Sequence, residues 1–265
     1  MTGRLPSALE HVHKIAAADD RQLAVFLDYD GTLTPIVSHP EKALLSSSMR
    51  QALRALVARA TVAILSGRDL DDVRKRVDID AIVYAGSHGF DIAGPHGLRK
   101  QPAMEFLPKL DVAEKELGKQ LTGIPGAWIE RKCFSIAVHY REVEESNIPN
   151  VNRAVNEVVT CHRGLRRMEG KKVYEVLPVI DWDKGKAVIW LSETLGLQRR
   201  KMRSIYIGDD RTDEDAFRAL QQRGIGVLVS EQPADTAAIY SLKDPTEVEC
   251  FLRRLVACLP ADADS

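Results

Sequence analysis

The sequence has no C-x-x-C pair and no zinc-ligand spacing; its four cysteines, Cys133, Cys161, Cys250 and Cys258, are scattered along the chain. Structural thiols are therefore expected rather than disulfides or metal ligands. No long uncharged apolar run occurs, and the first residues, MTGRLPSALEHVHK, hold no apolar core. Neither a membrane span nor a signal peptide is expected, and the default setting is soluble, reducing and cytoplasmic. Neither sign of charge is in excess: 37 basic against 38 acidic residues leave a formal net charge of −1, which offers nothing to nucleic acid or a membrane surface. A basic cluster at Arg163, Arg166, Arg167, Lys171 and Lys172 reads as a solvated surface or hairpin. Internal repeats and low-complexity stretches are also lacking. What remains is an ordinary globular composition, 45% hydrophobic and 28% charged, in 265 residues, enough for one generous domain or two compact ones.

Leu23 to Leu27 form a continuous apolar run that ends at Asp28. Such a run suits a strand buried on both faces of a parallel sheet. Behind it Met49, Ala52, Leu53, Leu56, Val57 and Ala60 recur at helical spacing, with Ser46 to Ser48 available as N-caps. Thr61 to Leu65 and Ile82 to Ala85 are two more buried-strand candidates, separated by a helix from Arg68 to Val77. Late in the chain a helix from Lys184 to Leu195 stops at Gly196. Strands at Ser204 to Gly208 and Ile225 to Val229 flank a helix from about Asp213 to Gln222, and a last helix runs from about Thr246 to Cys258. A short helix at roughly Leu9 to Ala18 precedes them all. This alternation predicts an α/β fold, a doubly wound, mostly parallel Rossmann-like core with ligands at the carboxyl ends of its strands.

The middle of the chain differs. A helix from Met104 to Leu121 leads into Trp128 to Lys132 and then Cys133 to Arg141. In the latter Phe134, Ile136, Val138 and Tyr140 share one face, and Ser135, Ala137, His139 and Arg141 the other. A second helix, Val151 to Cys161, and a hairpin turning at Glu169-Gly170 follow. One-sided strands with helices predict an antiparallel sheet covered on a single face. The expected organisation is an α+β domain at 101–179 inserted into a core built from 1–100 and 180–265.

Chemistry concentrates at two predicted strand ends. Asp28-Tyr29-Asp30-Gly31-Thr32-Leu33 places two carboxylates where both can approach one reaction centre. A carboxylate can attack a phosphate ester, which carries roughly −1.5 to −2 charges, only if that charge is neutralised. A hard cation with oxygen ligands, typically Mg²⁺, does this. The acidic run Gly208-Asp209-Asp210-Arg211-Thr212-Asp213-Glu214 supplies further carboxylates. A lone D-x-D is as readily an Asx-turn; both acidic strand ends together are not. Ser66-Gly67-Arg68 could hold phosphate oxygens or serve only its turn. Lys184, opening a helix before Gly185-Lys186-Ala187, could hold a phosphoryl group as a point charge or be solvated.

In order, D-x-D-G-T, then Ser, then Lys, then G-D-D-x-x-D, these pieces resemble the haloacid dehalogenase-type phosphatases. The resemblance implies Asp28 as nucleophile and Asp30 as the acid that protonates the leaving oxygen and then the base that activates water. It implies Mg²⁺ held by Asp28, the backbone carbonyl of Asp30, and Asp209, with Asp213 and Asp210 supporting. It implies Ser66 and Lys184 as phosphoryl-binding residues. FLDYDGTLTPIV, AILSGR, YAGSHGFDI, WIERKCFSIAVHYR, YEVLP, DWDKGKA and YIGDDRTDEDAF are similar, almost end to end, to the trehalose-6-phosphate phosphatase family, especially its plant members. The inserted domain would then be a cap over the disaccharide. Glu130, Lys132 and Glu175 match cap positions that contact trehalose in relatives, and His139 and Arg141 share the polar face.

By pattern alone the solvated reading of that face is slightly favoured, and the resemblance tips it toward sugar recognition, where buried hydroxyls need paired partners. His88, in Gly86-Ser87-His88-Gly89, could face the substrate or cap a turn, and Arg68 could contact ligand or form an ion pair. The expected reaction is hydrolysis of trehalose 6-phosphate, the last step of trehalose biosynthesis. No glycosyltransferase domain is seen, so a separate trehalose-phosphate synthase should supply the substrate. The alternatives weighed are another sugar phosphate, a regulatory non-hydrolytic member, and a phosphomutase.

Overall fold

The computed structural model describes residues 5–16, 22–37, 40–170, 172–197 and 202–260. The chain divides into two units, Met1–Lys100 with Trp182–Ser265, and Gln101–Asp181. The first unit begins with α1 (Val12–Ala16), β1 (Leu23–Leu27), α2 (Ser47–Val57), β2 (Thr61–Leu65), α3 (Leu70–Val77), β3 (Val83–Gly86), β4 (Asp91–Ala93) and β5 (Arg99–Lys100). The second holds α4 (Leu107–Leu121), β6 (Trp128–Arg131), β7 (Ile136–His139), α5 (Ile148–Cys161), β8 (Leu165–Gly170) and β9 (Val173–Pro178). The chain returns to the first unit with α6 (Lys184–Thr194), β10 (Arg203–Gly208), α7 (Asp213–Leu220), β11 (Gly224–Val229), β12 (Tyr240–Leu242) and α8 (Pro245–Cys258).

In the first unit the strand order is β12-β11-β10-β1-β2-β3-β4-β5. Pairing is parallel from β12 through β3 and antiparallel for β3–β4 and β4–β5. The central strand shows why its run is apolar without interruption. Leu23, Val25 and Leu27 pack with Val12, Leu53, Val73 and Phe251 from α1, α2, α3 and α8. Ala24 and Phe26 point the other way, into a core with Val188 and Leu191 of α6 and Phe217 of α7. Both faces need apolar side chains, so the alternating signature disappears. Ser46 caps α2, its Oγ accepting from Met49 N at 3.0 Å. β4, β5 and β12 were not anticipated; at two or three residues each they are too short to carry a period.

Some boundaries move. Of the helix expected at Leu9 to Ala18, α1 starts at Val12, and Ala17 and Ala18 lie outside the described residues. α3 starts at Leu70 because Asp69, at the N-cap position, is extended with ψ 149°; its carboxylate accepts from Ser87 Oγ at 2.8 Å instead of capping the helix. The second unit's sheet, β6-β7-β9-β8, is antiparallel throughout. Leu110 and Leu117 of α4 and Val151, Val155 and Val158 of α5 cover Ile136, Val138, Tyr174 and Val176. β8 runs on through Glu169 and Gly170, paired to Tyr174 and Val173; the hairpin turns after them, with Lys172 left-handed at φ 65°. Lys171 lies outside the described residues. Arg163 and Arg166 are exposed, whereas the Arg167 guanidinium sits 3.9 Å from the Tyr174 ring centre.

Candidate active site

Asp28, Ser66 and Asp209 follow the ends of β1, β2 and β10, three adjacent parallel strands. Strands in a sheet lie about 4.8 Å apart, so the loops that leave them share one edge. After Asp28 the chain folds tightly: Gly31 N donates to Thr34 O at 2.7 Å and Leu33 N to Tyr29 O at 2.9 Å. Gly31 is left-handed at φ 88°, and a Cβ there would lie 2.1 Å from Asp209 Oδ2. The two acidic loops therefore meet at a glycine. Gly31→Ala is expected to cost about 1–2 kcal/mol in backbone strain and to push the Asp209 carboxylate aside. A thermal midpoint lowered slightly, with phosphate release lowered far more, is the expected pair of measurements.

Lys184 is the first residue of α6, whose cap is Asp183, accepting from Lys186 N at 2.8 Å. The positive end of a helix disfavours a cation, and Lys184 is also buried, 2% exposed. Its Nζ donates to Asp28 Oδ1 and to Asp213 Oδ1, each at 2.7 Å. Burial alone would lower the Lys184 pKa, but Asp213 and Asp28 reverse this and hold it well above its ordinary value. Burial raises the Asp28 carboxyl well above its ordinary value, Lys184 opposing and Asp213, Asp209 and Asp210 adding to the rise. Tyr206, fully buried in β10, donates to the same Asp213 oxygen at 2.6 Å. Asp213 Oδ2 accepts from Asp209 N and Asp210 N, both at 3.0 Å. Burial would raise Asp210, but Lys184 and then the Thr212 hydroxyl and N–H bring it below its ordinary value.

Oxygens of Asp28, Asp209 and Asp213 lie within 4.8 Å of one another, an all-oxygen set of the kind a hard divalent cation takes. Both Asp213 oxygens are already engaged, so Asp213 fits as the brace of the set and Asp28 and Asp209 as its donors.

Asp30 is engaged by Arg68, from the loop after β2. Arg68 Nε and Nη2 donate to its two oxygens, each at 2.7 Å, and Arg68 Nη1 donates to Asp72 at 2.9 Å. Arg68 therefore forms an ion pair, the second of its two expected readings. Ser66 is buried, its Oγ accepting from Arg68 N at 3.1 Å. Ser87 and His88 are both left-handed, at φ 49° and 57°, a conformation that costs non-glycine residues of order 1–3 kcal/mol. Ser87 N to Arg68 O (2.6 Å) and His88 N to Ser66 O (2.9 Å) hold them there. The His88 ring packs on Gly67, where an added Cβ would lie 2.8 Å from Cε1.

The remaining candidates belong to the second unit. Glu175 is buried and accepts from Lys132 Nζ at 2.9 Å and Ser135 Oγ at 2.8 Å. Glu130 meets His139 Nε2 at 2.9 Å, and that bond, aided by Lys132, holds its carboxyl below its ordinary value despite burial. Trp128 stacks on the same imidazole, ring centres 3.8 Å apart. With Ser135, Ala137 and Glu175 buried, this face is not simply solvated. Arg141 departs from the expectation: β7 ends at His139, Val143 N bonds Tyr140 O at 3.2 Å, and Arg141 lies exposed in that turn. Sequence reasoning passed over Tyr206, Asp72 and Ser135. Asp72 carried a signal in its spacing of four from both Arg68 and Arg76, and Ser135 in its place on the same strand face as His139; Tyr206 carried none.

The fold is shared with a solved haloacid dehalogenase-like hydrolase of Bacteroides thetaiotaomicron, TM-score 0.64 at 17% identity over 88% of this chain and 99% of that one. The chain belongs to the trehalose-phosphatase family, whose model matches residues 26–246, and so to the phosphoric monoester hydrolases. It is 43% identical to trehalose-phosphate phosphatase B of Arabidopsis thaliana, over 96% of this chain and 71% of that one. It is 46% identical to probable trehalose-phosphate phosphatase 4 of Oryza sativa subsp. japonica, over 95% and 71%. The solved C-terminal domain of the Candida albicans trehalose-6-phosphate phosphatase superposes with a TM-score of 0.76 at 24% identity, over 97% of this chain and 99% of that one. Among the described residues no helix is long and apolar enough to cross a membrane.

Proposed function

We propose that this chain hydrolyses trehalose 6-phosphate through an aspartyl-phosphate on Asp28. The observation that carries the reading is the buried contact of Lys184 with Asp28 and Asp213 beside Asp209. In the first step an Asp28 oxygen bonds to phosphorus, the phosphorus–sugar oxygen bond breaks, and Asp30 gives its proton to the departing oxygen. In the second step Asp30 takes a proton from water, the water oxygen bonds to phosphorus, and Asp28 is released with inorganic phosphate. Ser66 and Lys184 hold the phosphoryl oxygens. Mg²⁺, held by Asp28, the Asp30 carbonyl and Asp209 with Asp210 and Asp213 in support, would neutralise the phosphate charge. The second unit acts as a cap, with Glu130, Lys132, His139 and Glu175 pairing sugar hydroxyls, and His88 borders the phosphate end. A cytoplasmic setting and a separate synthase complete the reading.

The test is phosphate release from a panel of sugar phosphates, with Mg²⁺ and with a chelator. Chelator-sensitive preference for trehalose 6-phosphate is expected; uniform low activity would remove the substrate assignment. Glu130→Ala should lower kcat/KM for trehalose 6-phosphate by about 10²-fold while an aryl phosphate changes little. Equal losses on both would remove Glu130 from sugar recognition.

A further inference from the structure

Asp30 has to present one oxygen to the leaving group, yet it sits on a glycine-containing loop with its side chain 40% exposed. Nothing in its own loop fixes the carboxylate plane. Arg68 does. The guanidinium meets Asp30 side-on, two nitrogens to two oxygens, the geometry in which an arginine fork sets orientation as well as distance. It is itself fixed. Nη1 is taken by Asp72, and the Tyr29 ring lies 5.4 Å from the guanidinium carbon. Asp72 in turn accepts from Arg76 Nε on both oxygens at 2.8 Å. Arg76 Nη1 donates on to Ala43 O at 3.1 Å, the carbonyl that also receives the Tyr29 hydroxyl at 2.9 Å. Arginine and carboxylate thus alternate from Asp30 back to the backbone at Ala43, with both arginines largely shielded, Arg68 10% and Arg76 13% exposed.

Resting on the acid–base role given to Asp30 above, we infer that Arg68 is a positioning residue that aims the Asp30 carboxylate at the leaving oxygen, and that Asp72 and Arg76 hold it in that aim. It acts through Asp30 and not by touching the sugar. A lysine cannot replace it, because one ammonium cannot bridge both Asp30 oxygens and still reach Asp72. The effect also depends on the leaving group. A sugar alkoxide needs the Asp30 proton to depart, whereas p-nitrophenolate departs without it.

The experiment compares Arg68→Lys, Asp30→Asn and the double variant on trehalose 6-phosphate and p-nitrophenyl phosphate in Mg²⁺. Arg68→Lys is expected to lower kcat on trehalose 6-phosphate about 10²-fold with KM nearly unchanged. Its first-turnover burst of p-nitrophenolate should stay within about threefold of the parent. Adding Arg68→Lys to Asp30→Asn should cost nothing further, since both act on one function. A raised KM with kcat retained, or losses that multiply in the double variant, would overturn the inference and make Arg68 a substrate ligand. If Arg68→Lys fails to fold, Asp72→Asn decides: a loss on trehalose 6-phosphate with the burst retained supports the inference, and no loss overturns it. Intact trehalose 6-phosphate turnover in Asp30→Asn would instead remove the acid–base role itself. A crippled Asp30→Asn beside an unaffected Arg68→Lys would remove only the role of Arg68.

Discussion

Asp28→Asn should reduce phosphate release by about 10⁴-fold or more without unfolding the protein. An amide cannot form the acyl phosphate, so neither a burst nor an acid-quenched phosphoenzyme should be detectable. The fold should survive because the substitution is nearly isosteric at a buried position, 5% exposed, whose carboxyl burial already disfavours as a charge. Lys184 keeps its bond to Asp213. The thermal midpoint is therefore expected within a few degrees of the parent, which separates lost chemistry from lost structure. Residual turnover near the parental rate would remove Asp28 as the nucleophile, whatever the rest of the site does.

The reach of the sequence can be read from individual residues. Leu23 to Leu27 announced a central strand because burial on both faces leaves no polar position in the run, and Asp28 then had to fall where the strand ends. Asp209 and Asp213 were legible for the same reason, following the apolar β10. Lys184 was legible as a candidate only, since its partners come from 156 and 29 residues away and no local pattern distinguishes a buried lysine from a solvated one. Tyr206 was hidden for the opposite reason. Its ring is apolar enough to satisfy the strand, edge-on to Phe217 with centres 5.7 Å apart, and its hydroxyl matters only once α7 brings Asp213 beneath it. In the second unit, alternation assigned His139 to the polar face correctly but carried Arg141 with it, because a period of two does not say where a strand stops. Glu175 interrupted an apolar run, which marked it, but its bond to Ser135 across β7 depends on register.

Lys184→Met should be the most destabilising single change at the site. It leaves Asp28 and Asp213 buried, and removing one partner of such a pair typically costs about 3–5 kcal/mol because the surviving charges keep their desolvation penalty. The loss should depend on pH with a definite sign. Lys184 is what opposes the burial-driven rise in both carboxyls; without it their folded-state pKa values climb further above the unfolded ones. A carboxyl raised in the folded state contributes most at low pH, and that contribution is lost as pH rises through the folded value. Denaturant midpoints of Lys184→Met should therefore fall more steeply than those of the parent between the acidic and neutral range. Adding Asp213→Asn should recover part of the stability by removing one of the stranded charges, although Tyr206 and the Asp209 and Asp210 N–H groups then face an amide. Added Mg²⁺ should recover another part, because a cation among the carboxylates does what the ammonium did. A variant as stable as the parent at neutral pH without metal would mean that the carboxylates do not depend on Lys184 for their charge, and the electrostatic account of the site would fail with it.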